Sequence, residues 1–296
     1  MSRTNKSKIS KPVRFAGISL AGGKTDKSAI VVIEYYEKEK KLFLSQIFEK
    51  MSSTDAKSSD QIIFEILSKK IEALESIAFD SPLKLPKCLR CKLDCPGYEK
   101  CGEPEIKWMW TEYKKRNKAK KPKKLFTPYT ERCAEIFIAN ELEEAFYPGH
   151  AMGANSAPLL ARALFLKRRL NRKAIEVYPK LSLWRIGRCL GVQKSYLRYH
   201  KHSIEGKSIR ESILKGLTEK NVAFLYEQDR RSMVRNAYAF DAFLCAITGL
   251  FHFLNQCEKR PKGFPKSESW VMFPQEKIDW SFLSPGPIEL QNESGL

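Results

Sequence analysis

Three short apolar runs stand in succession near the start of the chain, and they limit its fold more than any other feature: Phe15-Ala-Gly-Ile-Ser-Leu-Ala21, Ala29-Ile-Val-Val-Ile-Glu-Tyr-Tyr36 and Leu42-Phe-Leu-Ser-Gln-Ile-Phe48. Each is strand-length and rich in β-branched or aromatic residues, and the polar connections at 22–27 and 37–41 suit hairpins. An antiparallel meander is therefore expected to open the fold. Ser59–Leu74 then spaces Ile62, Ile63, Ile66, Leu67, Ile71 and Leu74 as one helical face, and Ser76-Ile-Ala-Phe-Asp80 reads as a short buried strand ending in a carboxylate. The order is βββαβ.

Residues 81–128 break the pattern with six prolines, four cysteines and a charge run, so they are expected to be an elaborated insertion. Regular structure resumes with helices over 129–144 and 157–170, a strand over 174–179 and a long helix from about Met233 to Leu254. The expected organisation is a basic, disordered tail at 1–12 and an α/β domain at 13–258 carrying a cysteine-rich and basic insertion at 84–128. A mostly irregular segment follows at 259–296.

Among 296 residues, 53 Lys and Arg face 34 Asp and Glu, a net charge of +19, while 43% hydrophobic content supplies a core. That excess points to a polyanionic partner. No signal peptide is visible, and the most apolar stretch, Ala237–Leu254, is interrupted by Asp241 and His252, so a soluble, cytoplasmic protein with no membrane contact is expected.

Three carboxylates are candidates for chemistry. Asp80 ends a strand and precedes Ser-Pro, so it either projects into a crevice at the sheet edge or starts a turn. Asp241 is the sole charged residue of Asn236–Phe251, a helix apolar on nearly every face. A carboxylate buried there requires a cation, which a metal ion or a base such as Arg235 could supply. Glu176 alternates with Ile175 and Val177, facing either a site or solvent.

Four cysteines, Cys88-x2-Cys91-x3-Cys95-x5-Cys101, are spaced for one metal site, zinc or an iron–sulfur cluster. Cys133, Cys189, Cys245 and Cys257 are dispersed and read as core. Two basic runs suit phosphate contact: Lys114–Lys124, with Lys114, Lys115, Arg116, Lys120 and Lys121, and Lys167–Lys173, with Arg168 and Arg169. Trp108, Trp110 and Tyr113 precede the first and offer base stacking. His200 and His202 lie in a basic stretch and read as surface residues. Ile18–Thr25 approaches a phosphate-binding loop, but Ile18 stands where its first glycine belongs and a strand follows.

The meander, the helix, the strand ending in Asp80 and the late helix carrying Asp241 resemble the ribonuclease-H-like fold. The stretches Phe15–Gly23, Ile77–Pro86, Thr130-Glu-Arg-Cys-Ala-Glu135, Ile175-Glu-Val-Tyr-Pro179, Tyr238–Thr248 and Glu268–Pro274 resemble domain-of-unknown-function family 429 over most of residues 13–275. That family is described as predicted nucleases of ribonuclease-H-like fold. The resemblance implies a metal-dependent hydrolase, with Asp80, Asp241 and Glu176 holding Mg²⁺ or Mn²⁺ for phosphodiester cleavage. The family pattern places Asp where this chain has Ser19, which removes a charge from the site. Three functions are thus expected in order: a metal-dependent nuclease weakened at Ser19, an inactive nucleic-acid-binding protein of the same fold, and an ATP-dependent phosphotransferase of a related fold. DNA, RNA and hybrid substrates are all compatible with these residues.

Overall fold

The computed structural model describes residues 10–22, 27–117, 125–141 and 149–284. The meander forms as expected: β1 (Val13–Ser19) pairs antiparallel with β2 (Ala29–Tyr36), which pairs antiparallel with β3 (Lys41–Phe48). Helix α1 (Ser59–Glu65) starts on a Ser58 capping box, with Gln61 closing it. A π-helical turn extends it to Lys70, and Ala73, at φ 43°, turns the chain into β4 (Leu74–Phe79). The helix thus stops short of Leu74, which belongs to the strand. β4 lies parallel to β1, and β5 (Ala174–Val177) lies parallel to β4.

Residues 81–128 are less irregular than their prolines suggest. After α2 (Lys87–Arg90) comes a 14-residue helix, α3 (Pro104–Asn117), that begins on a proline at its first turn, where no backbone donor is needed. Then follow α4 (Cys133–Glu141), α5 (Ala157–Leu170), α6 (Pro179–Cys189), α7 (Lys194–Leu197), α8 (Glu205–Glu219), β6 (Ala223–Phe224), α9 (Glu227–Arg235) and α10 (Ala237–Phe253). The last strand, β7 (Val271–Met272), comes from the C-terminal segment and pairs parallel with β5. The sheet is mixed and seven-stranded, in the order β6-β3-β2-β1-β4-β5-β7.

Helices cover both faces, so the central strands are apolar at consecutive positions instead of alternating with polar ones. Phe15, Val31 and Ile33 face α10, whereas Ala16, Ile18, Ile30 and Val32 pack with Ile63, Leu67, Ala163 and Leu166 of the α1/α5 layer. Gly17 brings α10 into backbone contact: a Cβ there would lie 1.9 Å from the Ala242 carbonyl oxygen. Among the described residues, no helix is long and apolar enough to cross a membrane.

Candidate active site

The parallel pairing of β1, β4 and β5 brings Ser19, Asp80 and Glu176 to the carboxyl edge of the sheet, the usual place for a site in open α/β folds. Asp80 follows the last residue of β4, and its backbone N–H still donates to the Ile18 carbonyl at 2.8 Å. Ser19, fully buried, donates its hydroxyl to Asp80 Oδ2 at 2.9 Å. Asp241, on the first turns of α10, is also fully buried.

The cation that Asp241 requires is Lys201. Its Nζ lies 2.5 Å from Asp241 Oδ2, although the side chain enters from the surface and is 55% exposed. Arg235 is engaged elsewhere, donating to the Arg231 carbonyl. His200 completes the group: the ring is buried at 2% exposure, with Nε2 3.1 Å from Asp241 Oδ1, so the surface reading holds for His202 but not for His200. Burial alone would raise the Asp241 carboxyl, but Lys201 and His200 outweigh it and hold it at about 2. Asp80 goes the other way: burial pushes it up to about 7, Lys201 opposes the rise, Asp241 adds to it, and the Ser19 hydrogen bond lowers it. The two carboxyls are close enough to act on each other, and Lys201 acts on both.

Glu176 faces inward from β5 and is held by Arg132. The guanidinium, 1% exposed, donates through Nη1 to Glu176 Oε2 at 2.8 Å and through Nε to Glu135 Oε1 at 2.9 Å, while Nη2 pairs with both carboxylates. The Leu83 N–H takes the same Glu176 oxygen at 2.9 Å, and Ser269 accepts from Arg132. Glu176 is thereby tied into a buried Glu–Arg–Glu bridge. Burial raises the Glu135 carboxyl to about 7, Arg132 opposes the rise, and the neighbouring Glu176 carboxylate adds to it.

A cleft of about 580 Å³ joins these groups, walled by Asp80, Tyr178, Lys201, Tyr238, the Arg132 bridge and residues 149–159 at the start of α5. Three carboxylates line it, Asp80, Glu135 and Glu176, with two cations, Arg132 and Lys201, and Asp241 lies fully buried behind Lys201. Among the described residues, no three His, Cys, Asp or Glu side chains stand together as a ready metal site. Asp80 and Asp241 nevertheless offer the donor set that a single Mg²⁺ or Mn²⁺ ordinarily takes from a protein, one or two carboxylates with water and substrate oxygens around them.

The other expected groups lie apart from this cleft. Cys88, Cys91, Cys95 and Cys101 are free thiols at or near the surface. They are close enough that burial and the charges of Cys101, Cys95 and Cys91 all raise the Cys88 thiol. Cys133, Cys245 and Cys257 are core residues, whereas Cys189 is half-buried beside the Glu276 carbonyl. Lys114 and Lys115 are exposed at the end of α3, with Lys115 paired to Glu112. Arg116 is the next residue of that helix, and Lys120 and Lys121 lie outside the described residues. Trp110 is packed among Tyr98, Tyr113 and Phe126, and Trp108 against Phe264. Arg168 and Arg169 sit at the end of α5 away from the cleft, with Arg169 over the Phe64 ring at 4.1 Å.

Lys201, His200, Arg132 and Glu135 are the site residues that the sequence reading assigned no role. The clue for the second pair was present in Thr130–Glu135, an arginine three residues before a glutamate at the start of an apolar helix. No comparable local signal marks Lys201, since its partner lies forty residues away. Comparison with curated proteins and with solved structures gave no match. A family model described as protein of unknown function (DUF429) matches residues 25–265, a span that includes Asp80, the Arg132 bridge, Lys201 and Asp241, and the chain belongs to that family.

Proposed function

We propose that this protein is a metal-assisted nuclease of ribonuclease-H-like fold, acting on nucleic acid in the Asp80/Asp241 cleft. The observation that carries the reading is a pair of interacting carboxylates, Asp80 and Asp241, at the sheet edge with one lysine acting on both, an arrangement in which a divalent ion could take the lysine's place. The Asp80 and Glu135 carboxyls are raised chiefly by burial, with the neighbouring Asp241 and Glu176 carboxylates adding to the rise. Three antiparallel strands, a parallel strand ending in Asp80 and a late helix carrying Asp241 support the fold assignment.

Asp80 and Asp241 would hold Mg²⁺ or Mn²⁺, which supplies phosphate neutralisation and an acidified water. Ser19 fixes the Asp80 carboxyl by its hydrogen bond but brings no charge, so affinity for the ion is reduced relative to a third carboxylate. Lys201 keeps Asp241 ionised while it occupies Oδ2, the position that the ion would take over. Glu176 acts through Arg132 and the Leu83 N–H, setting the loop after Asp80, and is a positioning residue. At Cys88, Cys91, Cys95 and Cys101 we propose zinc on the spacing of the four thiols, which do not stand together as a ready site in this structure, with an iron–sulfur cluster as the alternative that visible absorption would reveal.

The test is cleavage of labelled single-stranded, duplex and hybrid substrates with Mg²⁺ or Mn²⁺. Activity should vanish with chelator and in Asp80→Asn and Asp241→Asn, and Ser19→Asp should raise it. The Ser19 and Lys201 placements favour one rival, binding without cleavage. No cleavage by either wild type or Ser19→Asp, with binding indifferent to chelator, would establish that rival.

A further inference from the structure

Lys201 reaches the cleft from a segment with an unusual division of labour. Leu190–Ile204, between α6 and α8, contains no acidic residue and carries Lys194, Arg198 and Lys201. Its inward side chains are anchors. Leu197 is buried and packs on Gly187 of α6, where a Cβ would come within 2.7 Å of it. His200 is bonded to Asp241, its carbonyl accepts from Arg210 Nη1, and Arg210 is itself held by the Val234 carbonyl at 2.7 Å. The outward side chains are large and exposed: Tyr196 at 40%, Tyr199 at 51% and Ile204 at 79%, with Arg198 beside them. Tyr199 stands edge-on to His202, and the Tyr196 hydroxyl lies 2.7 Å from Ser208 Oγ.

These anchors hold a segment that presents two phenol rings and a guanidinium to solvent and sends Lys201 into the cleft. Exposed rings beside cationic groups, on backbone held from beneath, are what a polyanion with accessible base faces can use. A duplex hides its base faces inside the stack, whereas a single strand presents them. We propose that Tyr196, Tyr199 and Arg198 form a platform for single-stranded nucleic acid that leads the strand into the Asp80/Asp241 cleft. The inference deepens the nuclease reading by naming its substrate class, and rests on that reading only for what happens inside the cleft.

Fluorescence anisotropy on the full chain would use labelled oligothymidine and oligouridine of about 15 nucleotides and a duplex of the same length, in chelator to prevent cleavage. The wild type should prefer the single strands. Tyr196→Ala/Tyr199→Ala should weaken single-strand binding by tenfold or more while leaving thermal stability and duplex binding unchanged, and Tyr199→Trp should retain it. The platform is overturned if the double variant binds single strands as the wild type does, if duplex is preferred, or if nothing binds. Asp80→Asn separates the two readings. Tyrosine-dependent binding without metal-dependent cleavage would sustain the platform and remove the nuclease, while cleavage insensitive to both tyrosines would do the reverse.

Discussion

A carboxylate with no solvent exposure survives ionised at position 241 because two side chains from a distant segment reach it. Removing one partner of a buried pair leaves the other as an uncompensated charge. Lys201→Met should therefore destabilise the protein by about 3 kcal/mol, near the low end for buried pairs because the lysine is partly exposed. The same substitution leaves the carboxylate pair without its resident cation, so Mn²⁺ should raise the melting temperature of Lys201→Met more than that of the wild type. Equal stabilisation of both would mean that Asp80 and Asp241 are not where the ion binds. Glu135 makes a second residue-scale prediction, since its carboxyl is raised to about 7 in the folded protein, where it shares Arg132 with Glu176. The folded state then holds a proton that the unfolded chain releases near the ordinary glutamate value, so this group's stabilisation is full below about 4.3 and declines as pH rises toward 7. Asp80 contributes with the same sign. Urea unfolding from pH 4 to 8 should show that decline, and Glu135→Gln should make it shallower by up to one proton, about 1.4 kcal/mol per pH unit.

At the scale of elements, the decisive contact is α10 against β1, because it sets how near Asp241 comes to the sheet edge. Gly17 makes it: a Cβ there would meet the Ala242 carbonyl oxygen at 1.9 Å and the Ala246 nitrogen at 2.5 Å, backbone atoms that no rotamer change can move. Gly17→Ala should cost about 3 kcal/mol or more and weaken whatever activity depends on the Asp80/Asp241 pair. Gly249 in the same helix is the control. Its Cβ would have only ordinary contacts, the nearest being Ser76 Oγ at 3.5 Å, so Gly249→Ala should be neutral or stabilising by up to about 1 kcal/mol through helix propensity. Chemical denaturation of the two variants side by side checks both. If Gly17→Ala were as stable as Gly249→Ala, direct backbone contact between α10 and β1 would be wrong.

For the molecule as a whole, the parts readable in the sequence were those whose signal is local. The meander, the strand before Asp80 and the apolar helix around Asp241 are each visible from spacing alone, and they suffice to bring two carboxylates toward one edge. The pairing of Lys201 with Asp241 and of Arg132 with Glu176 was not visible, because an ion pair formed across long stretches of chain leaves no periodicity at either end, whereas Arg132 and Glu135 stand three residues apart. Helix α8 carried a local signal as well, Ile209, Ile213, Leu214 and Leu217 at helical spacing, whereas α3 interrupts its apolar positions with lysine and arginine. The C-terminal segment shows best how poor regularity can hide structural weight. Most of it is irregular, yet Phe264, Trp270, Val271, Phe273 and Leu283 are all buried, and β7 closes the sheet beside β5. Ser269 also accepts from the Arg132 guanidinium that holds Glu176. Losing the burial of five such side chains costs about 2 kcal/mol each, a sum of about 10 kcal/mol that rivals the whole stability of an ordinary domain. A chain ending at Glu258 should therefore lose its near-ultraviolet circular dichroism and bind a hydrophobic dye instead of unfolding cooperatively. Cooperative unfolding at near-native denaturant midpoint would show that the fold is complete without this segment and that β7 is only an accessory to it.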